Sequence, residues 1–363
     1  MSFPPFTRRQ SIAQPHKRVP HVSPSRHGAA QTTPRIPRPH LVPRPRPRYS
    51  ALALWHLLSL DAPTVATLWT LFIARCSHVH LPWTEPAAMF LAVWMIYATD
   101  RLLDARLPDT PPLESRLPES RISSPGLEAR HRFHHAHRHA FVTVIVFGCI
   151  ALAVLLNGID PDARHLYALL AALLGAWMFL IHIRPASHGP TSLLPKELAV
   201  GIFFPAAVFI PTLVRTTPTP AAIHLLGSAA IWIRPNLLPS AFLFAGVCTL
   251  NCLCLYAWEH PTPRPQDPDD LPCTDDIPQQ ETHWTTRWAT AHLTTIALVV
   301  LAASTIASVS RALPIALPAL ACSLSTAALF ALNLYRRRLS PIHLRAAADL
   351  VLLTPLFFLP FVR

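Results

Sequence analysis

Apolar runs of about 17 to 25 residues, nearly free of charge, recur along this chain between polar breaks. That is the length an α-helix needs to cross ~30 Å of hydrocarbon. Lipid offers no hydrogen bonds to an open backbone, so such segments cross as helices, and the pattern predicts an all-α integral membrane protein. The runs lie near 51–75, 84–103, 140–157, 165–183, 197–214, 237–258, 289–309, 312–334 and 342–362, which predicts a bundle of about nine transmembrane helices. A shorter apolar piece, 221–234, ends at Arg234 and Pro235 and is expected to form an interfacial helix leading into the sixth span. Composition agrees: 51% of the 363 residues are hydrophobic and 14% charged, which is too apolar for a water-soluble core.

The placement of charge sets the expected orientation. Residues 1–50 hold ten Lys and Arg, no Asp or Glu, and dense Pro. This composition predicts a disordered cytoplasmic tail, read first as a solvated segment without a specific partner, with attraction to the anionic headgroups of membrane lipids as the alternative. Loops 104–139, 184–196, 259–288 and 335–341 are richer in basic residues than the loops between them, so they are expected on the inner side together with the amino terminus. The reading is a multi-pass protein of the cell (inner, cytoplasmic) membrane: a tail, 1–50, and a helical domain, 51–363, with cytoplasmic cap loops at 104–139 and 259–288. A net charge of +12 does not point to nucleic acid, because the basic residues are not interleaved with aromatics on one soluble module. Seven cysteines show no disulfide or zinc spacing, and the C-x-C at Cys252 and Cys254 reads as small buried side chains.

The strongest local signal is YATDRLLDARLPD, 97–109, at the inner end of the second span. Asp100 and Asp104 are four apart and share one helix face. Ionisable groups at a helix end facing a bundle cavity are functional candidates by default. Two such carboxylates suit Mg²⁺, which completes its shell with water and substrate phosphate oxygens. The competing reading is that they pair with Arg101 and Arg106 at the headgroups.

These residues resemble the first motif, N-x-x-x-D-x-x-x-D, of the UbiA family of intramembrane prenyltransferases, which lies at the inner end of the second of nine helices. Ile96 stands where that motif has Asn. TSLLPKELAVGIFF, 191–204, is similar to the family's loop and Gly-containing fifth span, and puts Lys196 where an ammonium meets phosphate oxygens. NCLCLYAWEHPTPRPQDPDDLPCTDD, 251–276, is similar to the second acidic motif, but lacks its i,i+4 carboxylate pair.

The resemblance implies a UbiA-like bundle that transfers a polyprenyl group from its diphosphate to a lipophilic acceptor. Asp100, Asp104 and Lys196 would be catalytic, with Mg²⁺ on Asp100, Asp104 and Glu259. Arg101, Tyr97, Asn251 and Tyr256 would bind substrate; Arg132 and Arg138, in a segment without a counterpart in that family, join the substrate-binding set as phosphate-contacting residues. The alternative is a non-catalytic lipid-binding scaffold or transporter with the same bundle.

ARHRFHHAHRHAF, 129–141, places His131, His135 and His139 on one helix face beside Arg130, Arg132 and Arg138. The positive surroundings disfavour a cation, so contact with phosphate or headgroups is expected. The tail has no hydrophobic periodicity and too little apolar surface to offset its ordering entropy. Deleting residues 1–48 is therefore expected to leave membrane insertion and the thermal unfolding midpoint unchanged, as read by fractionation and by unfolding in detergent.

Overall fold

The computed structural model describes residues 50–104, 133–183, 195–216, 237–260, 284–310 and 312–362, all within one compact unit, Tyr49–Arg363. The tail, segment 221–234 and most of both expected caps lie outside the described residues. Every regular element among the described residues is a helix. In chain order these are α1 (Ala51–Leu57), α2 (Asp61–Cys76), α3 (Thr84–Asp104), α4 (Arg138–Leu156), α5 (Pro161–Ile183), α6 (Lys196–Thr216), α7 (Leu238–Glu259), α8 (Trp284–Ala291), α9 (Leu293–Ser308), α10 (Leu313–Tyr335), α11 (Pro341–Leu350) and α12 (Pro355–Phe358).

Six helical stretches are long and apolar enough to cross a membrane, and eight if two bent pairs each count as one span. The 21-residue α3 is long enough, but Glu85, Asp100, Arg101 and Asp104 near its ends keep it outside that count. The surface argues the same way: Val146, Phe147, Ile150 and Val154 on α4, Phe179 on α5 and Ile306 on α9 are exposed. Large side chains of this kind on whole helix faces mark a surface that is covered, and on helices of spanning length lipid is the matching cover. The protein is thus an all-α, multi-pass membrane protein.

At the centre stands α2, with twelve of its sixteen residues buried against α3, α6, α10 and α11. Trp69 is its pivot, fully buried and stacked on Phe244 at 4.1 Å.

The first expected span, 51–75, is not one rod. α1 meets α2 at 88°, and the break is made at Ser59, whose φ of 61° is left-handed. The seventh expected span likewise bends by 73° between α8 and α9. Exposed Trp284 and Trp288 on α8 are the amphipathic residues that favour a membrane interface.

At two of the prolines inside the bundle helices, a side chain replaces the lost donor. A proline has no N–H for the carbonyl four residues back. In α6, Pro211 leaves the Ala207 carbonyl, to which Tyr167 Oη donates at 3.2 Å; in α10, Pro318 leaves the Pro314 carbonyl, to which Ser240 Oγ donates at 2.6 Å. Both helices accordingly run through their prolines unbroken. The last span does break, into 3₁₀ turns at Val351–Leu353 and Leu359–Phe361. There Trp69 Nε1 donates to the Leu352 carbonyl at 2.8 Å and Ser325 Oγ to the Val351 carbonyl at 2.9 Å. Irregular backbone at membrane depth is tolerated only with such partners.

Helices α6 and α7 approach closely at Gly201, where a Cβ would lie 1.9 Å from Thr249 Oγ1. Small residues permit this kind of intramembrane contact. Gly201→Ala is expected to destabilise by about 1–3 kcal/mol, as overpacking does. Adding Thr249→Ala should return most of that loss, because it removes the clashing oxygen; unfolding midpoints in detergent measure both.

Candidate functional site

The sequence brings three ionisable groups into α1, α2 and α3 that the fold buries together: His56, Asp61 and Arg101, which are 4%, 1% and 6% exposed. Asp61 stands at the first position of α2, directly after the Ser59 break, so the turn directs its carboxylate back toward α1. Its Oδ2 lies 2.6 Å from His56 Nδ1 and accepts from Arg101 Nη2 at 3.1 Å, while Oδ1 accepts from the Ala62 amide at 3.0 Å. Arg101 also donates to Ser59 Oγ at 3.0 Å and to the His56 carbonyl. Trp94, two turns earlier on α3, donates to the Leu58 carbonyl at 3.0 Å. The bend is therefore held by one face of α3.

Asp349 on α11 extends the cluster. Its Oδ2 is 3.8 Å from His56 Nδ1, and its Oδ1 accepts from Asn251 Nδ2 of α7 at 3.2 Å. One turn earlier on α11, Arg345 pairs with Glu259 at the end of α7. Ser50 and His343 meet at 2.9 Å, Trp258 donates to Asn333 of α10 at 2.9 Å, and Thr286 of α8 donates to Glu197 of α6 at 3.3 Å. These contacts gather the start of α1, the end of α3, the start of α6, the end of α7, α8, the end of α10 and the start of α11 at one end of the bundle. The opposite end is tied by Arg215 and Glu85, by Thr84 and the Gly158 carbonyl, and by Arg75 and the Leu359 carbonyl.

The expected site residues divide between these surroundings. Arg101, Asn251 and Glu259 belong to the buried network, each with a partner inside the protein. Tyr97 is half-buried and packs against the main core, and Tyr256 stacks on His260 at 4.4 Å. Asp100 is half-buried on α3. Asp104 closes α3 and Lys196 opens α6, while their side chains, like Arg132, lie outside the described residues. Arg138 is exposed and donates to His139 at 3.3 Å.

The expected histidine face is not continuous, because a turn at His137 interrupts the helix. His134 instead points inward, fully buried, 4.8 Å from the Phe141 ring. Beside the start of α6 an apolar groove of about 450 Å³ is lined by Leu198, Leu253, Trp288 and Ile296, with Glu197 and Thr286 at its edge.

Scans against protein-family models, curated proteins and solved structures return no match for this chain.

His56, Asp61, Arg345 and Asp349 were not singled out from the sequence. All four are ionisable residues inside expected spans, the same signal that drew attention to Asp100. Chemically, the cluster offers paired carboxylates, an imidazole and a guanidinium in a water-poor setting. Removing one partner of a buried ion pair leaves the other charge uncompensated, at about 3–5 kcal/mol. Arg101→Gln is expected to lower stability by that order, and Arg101→Gln with Asp61→Asn to recover part of it. A double-mutant cycle on unfolding midpoints in detergent measures the coupling.

Proposed function

We propose that this chain is a membrane-embedded prenyltransferase of the UbiA type, moving a polyprenyl group from its diphosphate to a lipophilic acceptor. The observation that carries the reading is a convergence. The three stretches that resemble that family end at the same pole of the bundle: α3 with Asp100 and Asp104, α6 starting at Lys196, and α7 with Asn251, Tyr256 and Glu259. Counting α3 as a span gives nine, as in that family, and the richer basic content of the loops at this pole supports a cytoplasmic side for it and for the amino terminus.

In this reading Lys196 and Arg101 draw the diphosphate to the pole and oppose its charge as it leaves. The apolar groove beside α6 holds the isoprenoid away from water. Tyr97 would offer an aromatic face to an allylic cation, whereas Trp94 is taken up by stacking on Phe141. Mg²⁺ on Asp100 and Asp104 would neutralise the departing diphosphate. Glu259 reaches such an ion only by giving up Arg345, and Arg101 reaches the diphosphate only by loosening Asp61. Those two internal pairs favour the second reading, a non-catalytic lipid-binding scaffold.

Purified protein given a long-chain prenyl diphosphate and Mg²⁺ should release diphosphate and transfer a labelled prenyl chain. Asp104→Asn should lower turnover by at least ~100-fold, the order expected on losing a principal charge-stabilising group. Asp275→Asn, in the acidic segment between α7 and α8, should stay within about threefold. Equal behaviour of the two variants, or no release by the wild type, returns the protein to the scaffold reading.

A further inference from the structure

We infer that His56, Asp61 and Asp349, completed by Asn251, form a binding site for one divalent transition-metal ion of the Zn²⁺ or Mn²⁺ class. The site is separate from the Asp100 and Asp104 pair and does not depend on prenyl transfer.

Geometry is the first support. One ligand atom from each of His56, Asp61 and Asp349 lies within 4.8 Å of the other two. Bonds of about 2.0–2.2 Å to a shared ion spread ligand atoms over roughly 3 to 4.4 Å, so small side-chain shifts close the site. The residues come from α1, α2 and α11, three elements already packed together.

The balance of donors and acceptors is the second support, and it is independent of the first. Carboxylate oxygens of Asp61 and Asp349 lie within 4.8 Å of each other. Of the nearby guanidinium groups, Arg101 bonds Asp61 while Arg345 pairs with Glu259. Asp61 is thus met by Arg101, whereas Asp349 meets the Asn251 amide and the His56 ring 3.8 Å away, in a setting where an uncompensated charge is costly. Asn251 is 95% buried by its 5% exposure, and its Oδ1 has no hydrogen-bond donor although its Nδ2 is engaged by Asp349. A surplus of oxygen acceptors around an imidazole is answered by a cation.

The donor set chooses the ion. Imidazole with carboxylate and amide oxygens suits Zn²⁺, Mn²⁺ or Fe²⁺, whereas Mg²⁺ favours an octahedral shell of oxygens. The ion takes the place of the proton that His56 Nδ1 and Asp61 Oδ2 share at 2.6 Å, as metal binding commonly displaces a ligand proton. Arg101 then fixes Asp61 from outside, as an outer hydrogen-bond partner of a ligand does. Asp349, whose side chain is 17% exposed, is the ligand through which the ion arrives.

The test uses the full chain in detergent with exposed His135, His137 and His139 replaced by Gln, so that uptake by clustered surface imidazoles does not enter the count. After chelation, the protein is equilibrated with Zn²⁺ or Mn²⁺, desalted and assayed by plasma mass spectrometry. This background should retain about one equivalent more than the same protein carrying His56→Gln or Asp349→Asn, and the ion should raise only the background's unfolding midpoint. Asn251→Asp adds a carboxylate at the same place and should tighten binding, a gain that misfolding does not produce. Equal retention by background and ligand variants, no retention by the background, or no tightening by Asn251→Asp overturns the site.

Discussion

The ion pair between Asp61 and Arg101 is the constraint around which this bundle is arranged. A carboxylate at the start of the central helix is costly in an apolar interior, and it is accepted because α3 delivers a guanidinium to the same point. Arg101 carries more than charge to that point. By donating to Ser59 and the His56 carbonyl it also ties down the left-handed turn that folds α1 across the end of the bundle. The rotation of α3, the direction of α1 and the packing of α1 on α11 follow from one side chain satisfying several acceptors at once.

The same rule, that a polar group in hydrocarbon must find a partner within the protein, explains the irregular backbone elsewhere. Pro211 and Pro318 cost their helices a hydrogen bond each, but Tyr167 and Ser240 take the freed carbonyls and the helices stay continuous. The last span loses continuous α-helical geometry after Leu350, and Trp69 and Ser325 stand where its carbonyls turn out. None of these side chains is close in sequence to the carbonyl it serves. Helix continuity in this protein is therefore a tertiary property.

That is also why the sequence is legible only in part. Hydropathy finds apolar segments because span length is set by the bilayer, and the positions of α4, α5, α6, α7 and α10 follow the apolar runs closely. It does not find the bend at Ser59, since a single left-handed residue leaves the apolar run around it intact. Spacing grouped Asp100 with Asp104, but which face of α3 turns inward depends on what waits across the interface. The network is centred on Arg101, one residue and about 100° around the helix from Asp100. The partnerships of Glu259 with Arg345 and of Asn251 with Asp349 join residues far apart in the chain, and no periodicity within one helix reports them.

The charges that hold this pole together are among those a charged ligand would have to use. A diphosphate that draws Arg101 competes with Asp61, and a metal that draws Glu259 competes with Arg345. Each exchange sets ligand contacts against contacts that position α1 and α11, so ligand binding and the conformation of the pole are energetically linked. Linkage is reciprocal: whatever stabilises the pole with Arg101 bound to Asp61 weakens a ligand that needs Arg101 free, by the same factor. Asp100 stands on the neighbouring flank of α3, one residue and about 100° from Arg101, so the residue that holds the bend and the acid of the sequence motif occupy different sides of one helix.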